Sequence, residues 1–361
     1  MYYRDNVQIK KENSSHFYWQ TINIINTNLH DSHISIYFII NFKYQASVCY
    51  RNTLVSWLFT SLAMANFLRT LGSIELTLMV TAIFGNSLII ATIYCHRHLR
   101  TIQNLIILNL SIADFLFAAI VNPICIVTYF RGEKTRSEVS CHISGIFSLL
   151  FSIVSINTLV FISIERYMAT NFPIKHRNLL SIKRIKITLG FIWLWSAFLC
   201  ILPLKTSRFA NIPNFFHCSV DWAYHLPTTL SYLTVVILVP HLILVYCNIR
   251  VFQATRSMRK VSVFQSTPSR YSKGIQRCRE HRITVVTFMV TITFLVCWMP
   301  YCIATICLAS GKSDLPKEFT SVALMMAISN SCCNPIIYGI MNRSFRKAFR
   351  EILCCIIYKD N

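Results

Sequence analysis

Seven runs of mostly apolar residues dominate the chain, at about 70–95, 103–130, 139–167, 186–204, 228–252, 283–308 and 316–340. Each is near or above the twenty or so residues a helix needs to cross a hydrocarbon core. Short basic or mixed stretches separate them, and strand-length alternation is rare, so a transmembrane barrel does not fit. A short amphipathic piece at about 343–353 follows the last run. The pattern predicts an all-α membrane protein. It has an N-terminal extracellular segment over 1–69, a seven-transmembrane helix bundle over 70–341, and an amphipathic eighth helix with a short cytoplasmic tail over 342–361.

Two readings of the N-terminal segment stay open. The stretch from Leu54 to Leu68 is apolar, follows Arg51, and contains Ala63-Met64-Ala65, a small-x-small pattern like a signal cleavage site. A signal beginning about fifty residues into a chain is unusual. The alternative is that Met64 is the start and the preceding residues are a gene-model extension. If the extension is real and lumenal, Asn13-Ser14-Ser15 is a glycosylation sequon.

Composition agrees with the membrane reading. With 54% apolar and 14% charged residues, the chain is too hydrophobic for an ordinary soluble domain. A net charge of +21 suggests nucleic acid at first sight. However, the basic residues sit in short stretches between apolar runs, which argues against a nucleic-acid partner and for a membrane. Lys and Arg follow the first, third, fifth and seventh runs, including Arg97, Arg100, Lys183, Arg184, Arg259, Lys260, Arg346 and Arg350. Their excess marks the cytoplasmic side, so the N-terminus is outside and the C-terminus inside; an odd number of spans requires that split, and the expected location is the plasma membrane as a multi-pass protein.

Of fifteen cysteines, most lie inside apolar runs as small hydrophobes, Cys125, Cys200, Cys297, Cys332 and Cys333 among them. Cys141 opens the third run on the outside and Cys218 lies in the loop between runs four and five. Both face the oxidising side and are the natural pair. Cys49 is a third lumenal thiol if the extension exists. Cys354 and Cys355 follow the amphipathic piece inside, as palmitoylation candidates or as ordinary reduced thiols.

Asp114 lies mid-membrane, where an ionisable group needs a partner or a job. Asn86, Ser155, Asn330, Ser331 and Asn334 lie at similar depth, and oxygen donors around one carboxylate suit a hard cation such as sodium. A neutral aspartic acid held by a neighbouring hydroxyl is the plainer reading. Glu165-Arg166-Tyr167 ends the third run, and Arg166 can pair with Glu280 at the start of the sixth, pair with Glu165, or snorkel to the headgroups. The sixth run holds Phe294 and Cys297-Trp298-Met299-Pro300, and the seventh Asn334-Pro335-Ile336-Ile337-Tyr338. Proline removes a helical hydrogen bond and kinks the helix; Pro240 breaks the fifth run and Pro203 ends the fourth. Several broken helices around a polar cluster suggest a machine that moves.

Together these motifs resemble the rhodopsin-like, class A family of G-protein-coupled receptors. The set is Gly85-Asn86, Leu110 to Asp114, Cys141, Glu165-Arg166-Tyr167, Trp193 with Pro203, Pro240, Phe294 to Pro300, and Asn334 to Tyr338 followed by Phe345. The likeness covers about 70–355, one motif per helix in order. It implies a non-enzymatic receptor whose partners are a heterotrimeric G protein, an extracellular small molecule and membrane lipid. Arg166 would hold the resting state and then meet the G protein. Phe294 and Trp298 would pass ligand binding to helix six, and Asp114, Ser155, Asn330, Ser331 and Asn334 would form the sodium pocket. One position departs from the family pattern: the residue eight after Pro240, usually a tyrosine, is Asn248, and Tyr246 faces another side of the helix.

The outer halves of runs three, five, six and seven would line the ligand site, with Ser148, Tyr232, Tyr301 and Ile328 in it. Ser148 stands where amine receptors carry an aspartate, and Ile328 where opsins carry the retinal lysine. A cationic amine would therefore lack its counter-charge, and no covalent retinal is expected. The remaining lining suits a small, neutral or weakly polar ligand. The neighbourhood of Cys218 to Trp222 and of Glu280 to Tyr301 looks most like opsins and melatonin receptors. Two other classes compete. A transporter is disfavoured by one intramembrane acid, Asp114, and no internal repeat; a receptor-shaped protein that does not signal keeps some support from Asn248.

Overall fold

A computed structural model describes residues 66–131, 137–206, 209–211, 217–221, 224–262, 271–310 and 315–359. Asn13, Cys49 and the rest of 1–65 lie outside the described residues, as do the side chains of Glu280 and Cys355. The chain divides into two compact units, Met1–Phe67 and Leu68–Asn361, and the second carries the bundle.

Seven helices are long and apolar enough to cross a membrane: Asn66–Cys95, Ile102–Arg131, Glu138–Asn171, Ile182–Ile201, Thr229–Arg256, Ile283–Ala309 and Glu318–Met341. They are called spans one to seven below. Several belong to longer helices than hydropathy alone predicts. The fourth runs Ile182–Thr206 and the sixth Tyr271–Ala309, because helical hydrogen bonding continues into ends too polar to read as apolar runs. Pro203 therefore lies inside its helix and does not end it. The tail helix likewise runs Arg343–Lys359, six residues beyond the amphipathic piece expected at about 343–353.

Sequence marks the helix starts. Thr101 accepts a hydrogen bond from the Asn104 backbone N–H at 3.3 Å, and Ser137 from the Ser140 backbone N–H at 3.1 Å, each satisfying an N-terminal donor that the helix leaves open. Two spans widen into a π-helical turn, at Phe117–Val121 and at Thr234–Leu238. Each turn ends two residues before a proline, Pro123 and Pro240. Proline supplies no N–H and crowds the carbonyl four residues back, and a widened turn relieves both. Pro240 was expected as a break; Pro123 was not.

The outer faces of the spans remain apolar, with Leu194, Phe84, Leu242 and Val296 exposed. A surface of that kind is matched by lipid rather than water. The inner faces build a core of Ile89, Ile106, Leu110, Leu159, Leu244, Val290, Phe294 and Tyr338. Polar ties cross it. Trp193 Nε1 donates to Asn109 Oδ1 at 2.9 Å, and Asn109 Nδ2 donates to Thr158 Oγ1 at 2.8 Å, linking spans four, two and three. Gly85 lets span one approach span seven: a Cβ there would sit 2.7 Å from the Pro335 ring.

A two-stranded antiparallel sheet lies in the loop between spans four and five, β1 Phe209–Asn211 against β2 Cys218–Val220. It brings Cys218 to Cys141, and the two form a disulfide with Cα atoms 5.3 Å apart.

Candidate functional site

A cavity of about 1060 Å³, part of it open to solvent, enters the bundle from the disulfide end. Ser148 of span three, Tyr232 of span five, Tyr301 of span six and Ile328 of span seven all line it. β2 supplies Cys218, Ser219 and Val220 to its upper wall, with His217 just before the strand. Ser219 Oγ and Tyr301 Oη lie 3.4 Å apart across the opening. His241 of span five also lines it and was missed by the sequence reading. Its ring stands 5.6 Å from Phe294, and burial lies behind the overlooked role: a lone histidine in an apolar run gives no sequence signal.

The cavity narrows onto an aromatic stack. Phe294 and Trp298 have ring centroids 5.7 Å apart, and Tyr301 meets Trp298 edge-on at 5.9 Å. Phe294 is fully buried, so displacement of Trp298 must be felt by its neighbours on spans five and six. Pro300, two residues above Trp298, sits inside the helix and weakens it there. Trp298 Nε1 is buried and has no hydrogen-bond partner among the described residues. A ligand acceptor in the cavity would meet that donor.

Below the stack, Asp114 closes the cavity floor. Its Oδ1 accepts from Ser331 Oγ at 3.1 Å and from Ser155 Oγ at 3.3 Å, and its Oδ2 accepts from Asn334 Nδ2 at 2.8 Å. Three of the four predicted partners therefore meet on one buried carboxylate. Asn330 also faces the cavity, but its Oδ1 is buried without a partner among the described residues. Asn86 Nδ2 donates to the Ser331 carbonyl at 3.0 Å, tying span one to the same cluster. Asn334 offers Asp114 its amide N–H, so Pro335, the next residue, interrupts span seven beside the cage. Tyr338, one turn further, is buried and stacks on Phe345 of the tail helix at 5.9 Å.

At the cytoplasmic end, Arg166 donates to both carboxylate oxygens of Glu165 through Nε and Nη2. His176 of the loop helix Pro173–Leu179 holds the same carboxylate through Nε2 at 2.8 Å. Glu165 is thus shared between its chain neighbour and a residue the sequence reading did not single out. The expected partner Glu280 lies outside the described side chains. Tyr167 packs on Tyr246 and on Phe172, at 6.0 and 5.7 Å.

Asn248 is buried and faces inward, as its place in the pattern predicts. Its Nδ2 lies 2.8 Å from the Leu244 carbonyl, 3.1 Å from Ser163 Oγ and 3.4 Å from Thr291 Oγ1. Tyr246, by contrast, is exposed. Cys354 is exposed on the tail helix.

A further buried acid, besides Asp114 and Glu165 of the cytoplasmic end, corrects the expectation of one intramembrane acid: Glu75 of span one is fully buried. It was overlooked because it sits alone in an apolar run, yet it meets His217 Nε2 at 3.2 Å. Cys125 is likewise more than a small hydrophobe, since its Sγ lies 3.2 Å from His217 Nδ1. Burial disfavours the imidazolium of His217, but Cys125 and Glu75 against its two nitrogens outweigh that and push its pKa up to about 10.

The family model for the 7 transmembrane receptor (rhodopsin family) matches residues 85–338. The chain belongs to the rhodopsin family of seven-transmembrane receptors. It is accordingly a receptor and not an enzyme. Relatives include melanopsin from Podarcis siculus, 30% identical over 80% of this chain and 62% of the relative. The histamine H2 receptor from Cavia porcellus is 28% identical over 81% of each chain. The melatonin receptor type 1A from Phodopus sungorus is 27% identical over 79% of this chain and 80% of the relative. The chain thus spans less than two thirds of the melanopsin it matches. A crystal structure of squid rhodopsin shares the fold, with a TM-score of 0.73 at 22% identity over 81% of this chain and 87% of that one. Within this rhodopsin-family frame, the opsin and melatonin-receptor likeness expected from sequence is present, with histamine receptors alongside.

Proposed function

We propose that this receptor binds a small, neutral or weakly polar molecule in the Ser148–Tyr232–Tyr301–Ile328 cavity and converts that binding into heterotrimeric G-protein activation. One observation carries the reading: a cavity that starts at the disulfide loop ends on Trp298 and Asp114, beside a helix weakened by Pro300. A ligand pressing on Trp298 biases spans five and six, and outward movement of span six would free Arg166 for the G protein. Ligand binding shifts the population only through its preference for that moved state. The receptor sits in the plasma membrane with the N-terminus outside, on the distribution of Lys and Arg.

Relatives suggest other ligands. Histamine and melatonin appear in the names of two of them, and melanopsin is a third. Ser148 offers no anion to an amine, and Ile328 no amine to an aldehyde, so a neutral ligand fits this lining better. Sodium is proposed at Asp114, where Ser155, Ser331 and the unpaired Asn330 oxygen offer hard donors. Cys354 and Cys355 are proposed palmitoylation sites holding the tail helix to lipid.

The test is nucleotide exchange by a panel of purified G proteins with the receptor in lipid nanodiscs, screened against neutral small molecules. A compound that raises exchange, and fails to do so with Arg166→Ala, supports the proposal. The competing reading is a receptor-shaped protein that does not signal, and the inward ties of Asn248 favour it. That reading expects no exchange with any compound.

A further inference from the structure

Glu75, Cys125 and His217 converge at the outer end of the bundle from span one, span two and the residue before β2. All three are buried, and one donor atom from each lies within 4.8 Å of the other two. Glu75 Oε1 is buried without a hydrogen-bond partner among the described residues. Carboxylate, thiolate and imidazole are the three ligand types that together suit zinc, a borderline-soft ion. We propose that these residues form a zinc-binding site, separate from the ligand cavity but sharing His217 with its upper wall.

One donor pair already stands near the separation zinc needs. Cys125 Sγ and His217 Nδ1 are 3.2 Å apart. In a tetrahedral site with ordinary bond lengths the same atoms would stand roughly 3.6 Å apart, so the pair must open by only a few tenths of an ångström. One imidazole cannot give a single ion both nitrogens. The ion therefore takes Nδ1 on the thiol side, and Glu75 supplies the third donor through its carboxylate. The fourth position is left for water, as in sites that keep three protein ligands.

Charge also balances. A buried carboxylate beside a neutral imidazole and a neutral thiol leaves an uncompensated charge, which is costly. Either a proton on His217 or a divalent cation with the Cys125 thiolate removes it. Zinc binding exchanges the thiol proton and the imidazolium proton for the ion, so affinity falls as pH falls. The ion would join spans one and two to the strand that carries Cys218, and so fix the upper wall of the cavity. That last consequence rests on the cavity being the ligand site; the metal site does not.

The experiment uses the full-length receptor in nanodiscs, with the exposed Cys95 and Cys354, and Cys355, replaced by serine, stripped with chelator and titrated with Co²⁺. A thiolate-to-cobalt charge-transfer band should grow to one equivalent and bleach on adding Zn²⁺. Cys125→Ala should abolish the band with the Cys141–Cys218 disulfide intact. Glu75→Gln removes a direct ligand, so the band should survive at an affinity weakened by more than the roughly ten- to hundredfold that losing an outer-shell carboxylate costs. Glu75→Gln carries the test if Cys125→Ala does not fold. No band in the parent, or an unchanged band and affinity in either variant, would overturn the site and leave His217 as a proton-bridged ion pair. Neither result bears on whether the cavity binds a small neutral ligand, which nucleotide exchange decides separately.

Discussion

The amide of Asn248 donates to Ser163 Oγ at 3.1 Å, joining span five to span three in the buried interior. Thr291 of span six lies within 3.4 Å of the same nitrogen. The position therefore holds three spans together in the described state. A side chain as short as asparagine cannot also carry a hydrogen bond across to Tyr338, which stacks on Phe345 instead.

Asn248→Tyr should raise ligand-free nucleotide exchange. The substitution removes the ties to Ser163 and Thr291 and adds a phenol able to reach Tyr338. A buried hydrogen bond contributes about 0.5–1.5 kcal/mol. At about 1.4 kcal/mol per decade, the active population should rise by up to roughly tenfold. Exchange is compared at equal surface expression, and an unchanged or lower rate means that the missing contact does not limit activation.

Cys141→Ala should sharply reduce the folded receptor at the cell surface. The bridge spans 77 residues of sequence, and the chain-entropy model assigns such a loop about 4–5 kcal/mol. Surface labelling with a gel shift under reduction checks this. Parental surface levels would mean that β2 holds its place without the covalent tie.

Asp114→Asn should remove any sodium dependence of signalling. Among the described residues, Asp114 supplies the ionisable group of a cage otherwise built by Ser155, Ser331 and Asn334. Basal or agonist-driven exchange is measured in sodium and in a large organic cation. Equal responses in parent and variant would remove sodium from the account.

Incubation with 11-cis-retinal should give no adduct that borohydride traps. Ile328 has no amine, so no Schiff base can form at that position of the cavity wall. A retinyl adduct found by mass spectrometry would place a reactive lysine elsewhere.

The spans were legible because hydropathy records burial in lipid directly, and the Asp114 cage because its members are polar residues at matching depth. Asp114, Ser155, Ser331 and Asn334 meet as expected, whereas Asn330 faces the cavity without joining them. What sequence hid was partnership across loops. His176 holds Glu165 from a short loop helix, and no periodicity foretells how that helix folds back. Glu75, Cys125 and His217 lie far apart in the chain, and each taken singly has an ordinary explanation. The π-helical turn before Pro123 was hidden for a different reason, since proline announces a break but not how the backbone relieves it.

Arg166 is proposed to be held by Glu165 until span six moves, and then to engage a G protein. Glu165→Gln weakens that hold by removing the charge shared with Arg166 and His176. The decisive measurement is GTPγS binding to a G-protein panel by Glu165→Gln/Asn248→Tyr receptor in nanodiscs, without ligand, beside the same variant carrying Arg166→Ala. The account predicts exchange above empty nanodiscs for at least one G protein, abolished by Arg166→Ala. Folded, disulfide-bonded variant that stimulates no G protein, or stimulates equally without Arg166, would contradict it.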